Sequence, residues 1–181
     1  MIYELDDHYY VRGLTQSDLS GPYPGWFSDQ TVTKYNSHGK FVKTLDYFQS
    51  YFDQLNNQDQ LVWAICHREN GHIGNISLQL IDFICRNADL GVLIGDKRHW
   101  GKGVALMAAK ALLQHGFYKL NLERIYCSTA ATNYGMQKLA VKMGMTEEGR
   151  RRSHMYLEGQ WIDMIQFGIL RNECPCTEGS L

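Results

Sequence analysis

A pair of glycines flanked by basic residues stands where a strand gives way to a long helix. The stretch from Leu93 to Ala105 reads Leu-Ile-Gly-Asp-Lys-Arg-His-Trp-Gly-Lys-Gly-Val-Ala. Gly101 and Gly103 have no Cβ, so their backbone N–H groups can come close to a ligand. The first helical turn adds free N–H donors and the positive end of the helix dipole, and Arg98 and Lys102 add charge. The pattern predicts an anion site that suits a pyrophosphate, with a plain strand-to-helix turn as the alternative.

Two common phosphate loops do not fit this stretch. A Walker A loop ends in Gly-Lys-Ser/Thr, whereas Gly101-Lys102 is followed by Gly103. The dinucleotide fingerprint needs a third glycine at the position that Leu106 occupies. The loop therefore belongs to neither of these nucleotide-binding classes.

The spacing of apolar residues places this loop in a mixed α/β domain. Helical spacing predicts helices over 44–55, 103–118 and 134–143. Extended segments predict strands over 9–14, 61–67, 73–83, 87–94, 124–128, 155–157 and 161–170, and the turn residues of 21–25 predict a loop. The order β-α-β-β-β-α-β-α-β-β is typical of a mixed sheet with flanking helices.

Composition narrows the classes of function. The 181 residues suit one domain, and the formal net charge of −1 gives no electrostatic support for binding nucleic acid or an anionic membrane. Five scattered cysteines argue against a disulfide framework and for a reducing compartment. The lone pair Cys174 and Cys176 lacks the second ligand pair that a metal site needs. Without a signal peptide or a membrane-length apolar run, we expect a soluble cytoplasmic protein that binds no metal.

Two motifs at the right separation resemble a known family. Arg98-x-x-Gly101-x-Gly103-x-Ala105 resembles the coenzyme A signature of the Gcn5-related (GNAT) acetyltransferases. The strand Asp89 to Asp96, and the run from Asn133 through Met136, Leu139 and Lys142 to Met145, are similar to the RimJ/RimL-like branch. The resemblance covers about residues 8 to 170. It implies a single acetyltransferase domain over 1–181, with a core of about 8–170 and a flexible tail of 171–181.

The resemblance also implies a fold and a cofactor site. We expect a central, twisted, mostly antiparallel sheet whose middle strands splay apart around acetyl-coenzyme A. The backbone of Leu93 and Ile94 would hold the pantetheine arm and polarise the thioester carbonyl, with Asn133 near that arm. The remaining candidate cofactor residues would hold the pyrophosphate and are Arg98, His99, Gly101, Lys102, Gly103 and Val104.

The chemistry implied is direct acetyl transfer to a primary amine in a ternary complex, without a covalent enzyme intermediate. The attacking amine must be neutral, and Asp89 is the candidate base, acting through water. A structural strand carboxylate, or one that pairs with Arg86, is the alternative role for Asp89. Many relatives place a tyrosine acid seven residues after the asparagine, where this chain has Ala140.

The acceptor is the least constrained part of the prediction. The segments 26–29, 32–38 and 76–83 resemble members that acetylate nucleotide-linked amino sugars, and Trp26, Tyr35 and Ser128 are the candidate acceptor residues. The aromatic rings there could equally pack the helix against the sheet. A protein N-terminal amine is the alternative acceptor, and a non-catalytic acetyl-coenzyme A-binding module is the alternative function. We expect a monomer or a homodimer.

Overall fold

The computed structural model describes residues 2–36, 38–41, 43–55 and 59–176. The strands are β1 (Ile2–Glu4), β2 (Tyr9–Gly13), β3 (Leu61–His67), β4 (Gly71–Asp82), β5 (Asn87–Ile94), β6 (Arg124–Ala130), β7 (Thr146–Leu157) and β8 (Gln160–Leu170). The α-helices are α1 (Tyr23–Trp26), α2 (Leu45–Gln54), α3 (Val104–Tyr118) and α4 (Tyr134–Lys142).

The strands form one open sheet in the order β1-β2-β3-β4-β5-β6-β8-β7. Every neighbouring pair is antiparallel except β5 and β6, which run parallel. The predicted fold class, a mostly antiparallel sheet with flanking helices, is therefore confirmed. The sheet has its only parallel pair among the described strands at its centre, where a ligand can enter between strands.

The two middle strands splay apart after a short common stretch. Asn87 pairs with Arg124 and Asp89 with Tyr126, and the pairing ends there. From that point β5 continues to Ile94 while still paired with β4, and β6 continues while paired with β8. The result is a fork that opens at Asp89, between a strand that leads to the glycine loop and a strand that leads to α4.

Helix α3 is the main support of the sheet. Buried residues occur on all its faces, in agreement with its apolar sequence, and it packs on β4. A Cβ on Gly116 would lie 2.7 Å from Ile125 Cδ1, so the glycine lets the helix approach β6 closely. This packing fixes the start of α3, and with it the glycine loop, against the fork.

A second, smaller core covers one face of the fork. It contains Leu19, Tyr23, Trp26, Val32 and Phe48, and both α1 and α2 contribute to it. The stretch 21–25, predicted as a loop, instead runs into the four-residue helix α1, with Pro22 as its N-cap. Pro24 lies in the first helical turn, where a backbone N–H would have no helical partner. The turn residues of this stretch are therefore compatible with a short helix.

A buried ion network ties this smaller core to the sheet. Arg12 donates two hydrogen bonds to Asp18, at 2.7 and 2.8 Å. His72 Nδ1 lies 3.2 Å from Asp18 Oδ1 without hydrogen-bond alignment, and its Nε2 donates to Asn75 Oδ1 at 2.7 Å. The Tyr23 ring stacks on the His72 imidazole. The network therefore connects β2 to the residues of β4 that lie beside the fork.

The remaining differences from the predicted elements lie at the sheet edges. Strand β1 was not predicted, and β7 begins at Thr146 rather than at residue 155. Most residues of β7 are exposed, so they carry no alternation of buried and exposed positions that a sequence pattern could reveal.

The C-terminal segment returns to the body of the protein. Residues Arg171–Glu173 form a 3-10 turn, and Cys174 and Cys176 form a disulfide. The sequence predicted no disulfide framework, and this bond joins residues only two positions apart, while Cys66, Cys85 and Cys127 are free. Residues 177–181 of the predicted tail lie outside the described residues.

Candidate active site

The glycine loop leads into α3 through two left-handed residues. Gly101 has φ 73° and Gly103 has φ 80°, a region that residues with a Cβ rarely adopt. Gly103 is the N-cap of α3. Within the described part of the chain, the N–H groups of Gly101, Lys102, Gly103 and Val104 donate to no backbone carbonyl. Free N–H groups at a helix start fit an anionic group such as a pyrophosphate.

Two of the predicted phosphate residues have other partners. Arg98 is exposed and pairs with Asp96 at 2.6 Å. The His99 N–H donates to the Asp96 carbonyl, and its side chain is only 2% exposed, bonded to Tyr9 and Asn70. Burial lowers the pKa of His99, so the ring is neutral near pH 7. His99 is thus corrected from a phosphate donor to a residue that holds the loop in place.

The strand end predicted to hold the pantetheine arm lies on the open side of the fork. Leu93 pairs with Asn75 and lines the cavity described below, and Ile94 pairs with Gly74. The Ile94 carbonyl accepts a hydrogen bond from the Trp100 indole, at 2.8 Å. These contacts fix the direction in which β5 enters the glycine loop.

Asn133 has a defined structural role. Its side chain accepts a hydrogen bond from the Met136 N–H at 3.2 Å and so caps α4. A cap of this kind typically stabilises a helix by about 1 kcal/mol. Asn133 therefore sets the start of α4 on the β6 side of the fork, and a direct contact with the pantetheine arm stays a prediction.

A cavity of ≈ 330 Å³ opens on the same fork, and we call it the acceptor pocket. It is walled by the smaller core on one side and by β4 and β5 on the other. Its aromatic and aliphatic walls are broken by a few polar side chains. The lining residues are Tyr23, Phe27, Asn36, His38, Lys43, Tyr47, Phe48, Tyr51, Gln60, Val62, Asn75, Ser77, Gln79, Asp89, Leu90, Gly91, Val92, Leu93 and Ser128.

Asp89 is the one carboxylate among these lining residues. It lies at the last paired position of β5, where the fork opens. Burial raises the pKa of Asp89 to about 6. Arg86, the alternative partner considered from the sequence, bonds Asn121 and approaches Glu123 instead. Within the described residues no cation pairs with Asp89, so its carboxylate is held at the pocket without a partner.

The three predicted acceptor residues have different outcomes. Ser128 lines the pocket. Tyr35 donates its hydroxyl to the Thr132 carbonyl at 3.1 Å and is not a lining residue. Trp26 is only 7% exposed and packs against His72 and Gly95. Its ring is not free to stack on a substrate, so Trp26 is corrected to a packing residue of the smaller core.

The structure adds pocket residues that the sequence did not single out. Tyr47 and Tyr51 stand four residues apart, and this helical spacing was the available signal that they share a face of α2. Lys43 carries no such signal, because it precedes the helix. Asn75 joins the pocket because β4 pairs with β5, a contact that no local pattern encodes.

The described residues near the fork suggest no covalent nucleophile. Cys127 is buried in the core beside Met145, and burial raises the pKa of its thiol to about 12. A thiol held protonated is a poor nucleophile. Ala140, at the position of the tyrosine acid in many relatives, is fully buried in the core. The local chemistry therefore fits direct transfer with one carboxylate base.

The described residues contain no cluster of three or more histidine, cysteine or acidic side chains that could hold a metal ion. None of the described helices combines the length and the apolar character that crossing a bilayer requires.

Comparisons with known proteins agree with this geometry. Residues 9–146 match the acetyltransferase (GNAT) domain family. The chain is 31% identical to an uncharacterised N-acetyltransferase, p20, of Bacillus licheniformis over 152 residues, which are 82% of this chain and 85% of the relative. It is 31% identical over 100 residues to the putative ribosomal N-acetyltransferase YdaF of Bacillus subtilis, covering 55% of this chain and 54% of that relative.

A solved structure shares the fold. The spermidine N-acetyltransferase of Vibrio cholerae, crystallised with CoA and spermine, superposes with a TM-score of 0.84 at 22% sequence identity. The likeness covers 93% of this chain and 98% of that one.

Proposed function

Because the chain belongs to the GNAT acetyltransferase family and is thus an acetyl-CoA-dependent N-acetyltransferase, we propose that it acetylates a small primary amine in the acceptor pocket. The observation that carries this proposal is the unpaired carboxylate of Asp89 at the fork. A lone carboxylate in a largely aromatic pocket suits a group that arrives as an ammonium ion and must lose a proton.

The chain offers contacts for two parts of the cofactor. The free N–H groups from Gly101 to Val104 would hold the pyrophosphate, and the end of β5 would hold the pantetheine arm. Acetyl-CoA supplies an acetyl group that is activated as a thioester. The chain's own contribution is to fix this group beside the acceptor pocket, where positioning of two reactants can lower the barrier by about 7–11 kcal/mol.

Asp89 takes the proton that the amine must lose. Above its pKa of about 6 the carboxyl group is ionised and can accept that proton, directly or through a water molecule. The neutral amine then attacks the thioester carbonyl and the C–S bond breaks. The proton that the nitrogen loses as it becomes an amide neutralises the departing thiolate, so CoA leaves as the thiol. Ser128 faces the same pocket from β6 and would orient the amine by hydrogen bonding.

The identity of the amine is the finer part of the proposal. The solved structure named above is a spermidine N-acetyltransferase, and YdaF is named a putative ribosomal N-acetyltransferase, which supports a polyamine or a protein N-terminal amine. The sequence likeness in 26–29, 32–38 and 76–83 supports a nucleotide-linked amino sugar. The aromatic walls fit the first and third of these, since rings bind both alkylammonium groups and sugar faces.

The experiment is a transfer assay with the whole chain. Release of CoA from acetyl-CoA is followed with a thiol reagent in the presence of spermidine, glucosamine derivatives or an N-terminal peptide, and products are identified by mass. We expect turnover with at least one amine and a Kd for CoA in the micromolar range. The variant Asp89→Asn should bind CoA as the wild type does while losing turnover. Tight CoA binding without turnover on any amine would instead favour a non-catalytic acetyl-CoA-binding module.

A further inference from the structure

One lysine ammonium group faces the acceptor pocket without a carboxylate partner. Lys43 precedes α2, and its Nζ donates to the Tyr47 hydroxyl at 2.7 Å and lies 3.2 Å from His38 Nδ1. In the described ranges no acidic side chain forms an ion pair with Lys43, whereas Lys97 pairs with Asp29. A charge that lines a cavity and has no counter-charge is available to a ligand.

The groups around Lys43 leave its charge uncompensated. Partial burial and the ammonium itself lower the pKa of His38, so the imidazole is neutral near pH 7. The rings of Tyr47 and Phe27 lie 4.0 and 5.3 Å from Nζ and give weak cation–π contacts. Two of the three ammonium protons face His38 and Tyr47, which leaves one for a further acceptor.

The acceptor pocket therefore has two poles. Asp89 provides the negative pole at the fork, and Lys43 provides the positive pole from the segment before α2. A molecule that places an amine at Asp89 and a second ammonium near Lys43 is repelled there, as a polyamine would be. A molecule with an amine and an anionic group matches both poles.

We propose that Lys43 determines specificity by binding an anionic group, phosphate or carboxylate, on the molecule whose amine is acetylated. This inference rests on the proposed function, because it presumes that the amine meets Asp89 in the same pocket. It assigns the substrate to the amines that carry an anionic group, a class that includes phosphorylated or nucleotide-linked amino sugars. A phosphate oxygen at Lys43 would accept a hydrogen bond from the third ammonium N–H and offset the positive charge of the lysine.

The test compares probes that differ in charge. Glucosamine, glucosamine 6-phosphate, UDP-glucosamine and spermidine are assayed with acetyl-CoA and the wild-type chain. We expect kcat/KM for at least one of the anionic probes to exceed that for glucosamine by tenfold or more, with spermidine the poorest. Titration calorimetry of the anionic probes in the presence of CoA gives their Kd independently of turnover.

Three variants locate the effect. Lys43→Gln should raise KM and Kd for the anionic probe at least tenfold, and should change KM for glucosamine less than threefold. Lys43→Glu should move the preference toward spermidine. Lys40→Gln is the matched control, because Lys40 is not a lining residue and its Nζ contacts the Tyr156 carbonyl instead. It should leave all ratios unchanged.

The two proposals fail in different ways. If Lys43→Gln leaves the anionic preference unchanged, or leaves the Kd for both anionic probes unchanged, the role of Lys43 is overturned. Turnover in the same assay would keep the acetyltransferase proposal intact. A wild type that prefers spermidine would also overturn the role of Lys43. Absence of turnover on every amine, with Kd values for the anionic probes that still depend on Lys43, would overturn the catalytic proposal and leave the anion subsite standing.

Discussion

Two aspartates of this protein, Asp18 and Asp89, have the same side chain and contrasting surroundings. Asp18 is 5% exposed and receives two hydrogen bonds from Arg12, one from the Thr15 N–H and a close contact from His72. Burial alone would raise the pKa of Asp18, but these partners hold it well below its usual value. Asp89 is half-buried, has none of these partners, and has a pKa raised to about 6.

Hydrogen-bond partners distinguish a structural carboxylate from a catalytic candidate. A charge with a full set of partners is stable and unreactive, because removing it from the network costs free energy. A charge that burial destabilises, and that faces a pocket, has a pKa suited to proton transfer near neutral pH. The network around Asp18 supports the wall of the pocket through His72 and Asn75, and Asp89 is the proposed base.

The largest expected effect is on activity, at the unpaired carboxylate. Asp89→Asn removes the base, and we expect kcat/KM to fall by about 10²–10⁴ at pH 8. In the wild type, protonation of Asp89 should make kcat/KM fall below pH of about 6. The measurement is a pH–rate profile of both proteins, with the exposed carboxylate change Asp53→Asn as control. A profile for Asp89→Asn that matches the wild type would remove Asp89 from the mechanism.

The next effect is on stability, at the paired carboxylate. Asp18→Asn leaves Arg12 without its counter-charge, and we expect a loss of about 3 kcal/mol in the free energy of unfolding. Because the folded-state pKa of Asp18 is lowered, this contribution is present above the unfolded value of 3.8 and is lost as the pH falls below it. Urea unfolding of the wild type and of Asp18→Asn at pH 7 and pH 3 measures the difference in their free energies of unfolding. That difference should be smaller at pH 3.

A double-variant cycle checks that the pair is the cause. Arg12→Met alone should also destabilise, and the double variant should lose less than the sum of the two single losses, because the second change removes a charge that the first left unpaired. Strict additivity of the free energies would contradict the assigned network. CoA affinity should be unchanged throughout, since neither residue contacts the glycine loop in the described structure.

The opposite sign is expected when the unpaired carboxylate is removed. The folded-state pKa of Asp89 is raised from 3.8 to about 6, so its ionised form destabilises the free protein above pH of about 6. Asp89→Asn should therefore stabilise the protein at pH 8 by roughly 1 kcal/mol, because solvent screens part of the cost at this partly exposed group, and by nothing measurable below pH of about 4. Thermal or urea unfolding without ligand at both pH values tests this, and destabilisation at pH 8 would show that Asp89 has a structural partner.

Local patterns predicted most elements because each depends on neighbouring residues. Thr44 caps α2, whose apolar spacing was clear, and the strands β3 and β5 have the predicted bounds. The glycine loop was recognised because left-handed conformations require particular residues, as at Gly101 and Gly103. The acceptor pocket was predicted poorly, because it is assembled from segments far apart in the chain.

The errors in the site have the same physical origin. The sequence does not distinguish an aromatic residue that packs in a core from one that faces a ligand. The role of Trp26 follows from its burial in the structure. His99 lies in the predicted phosphate loop, yet its partner Tyr9 is on β2, ninety positions away. The family resemblance suggested Asp89 as the base, while its lack of a partner follows only from where Arg86 and Arg12 point.

The smallest effect is expected at a third carboxylate that is paired on the surface. Lys97 Nζ lies 2.7 Å from Asp29 Oδ2, the same distance as in the pair Arg12–Asp18. Side-chain exposure is 50% and 32% in the first pair and 22% and 5% in the second. Water and salt screen the exposed pair, and Asp29 keeps hydrogen bonds from the N–H groups of Thr31 and Val32 after Lys97 is changed. Lys97→Met should leave the unfolding midpoint unchanged within error at 0.15 M salt, and a loss as large as that of Asp18→Asn would mean that ion-pair distance, and not burial, distinguishes the carboxylates of this protein.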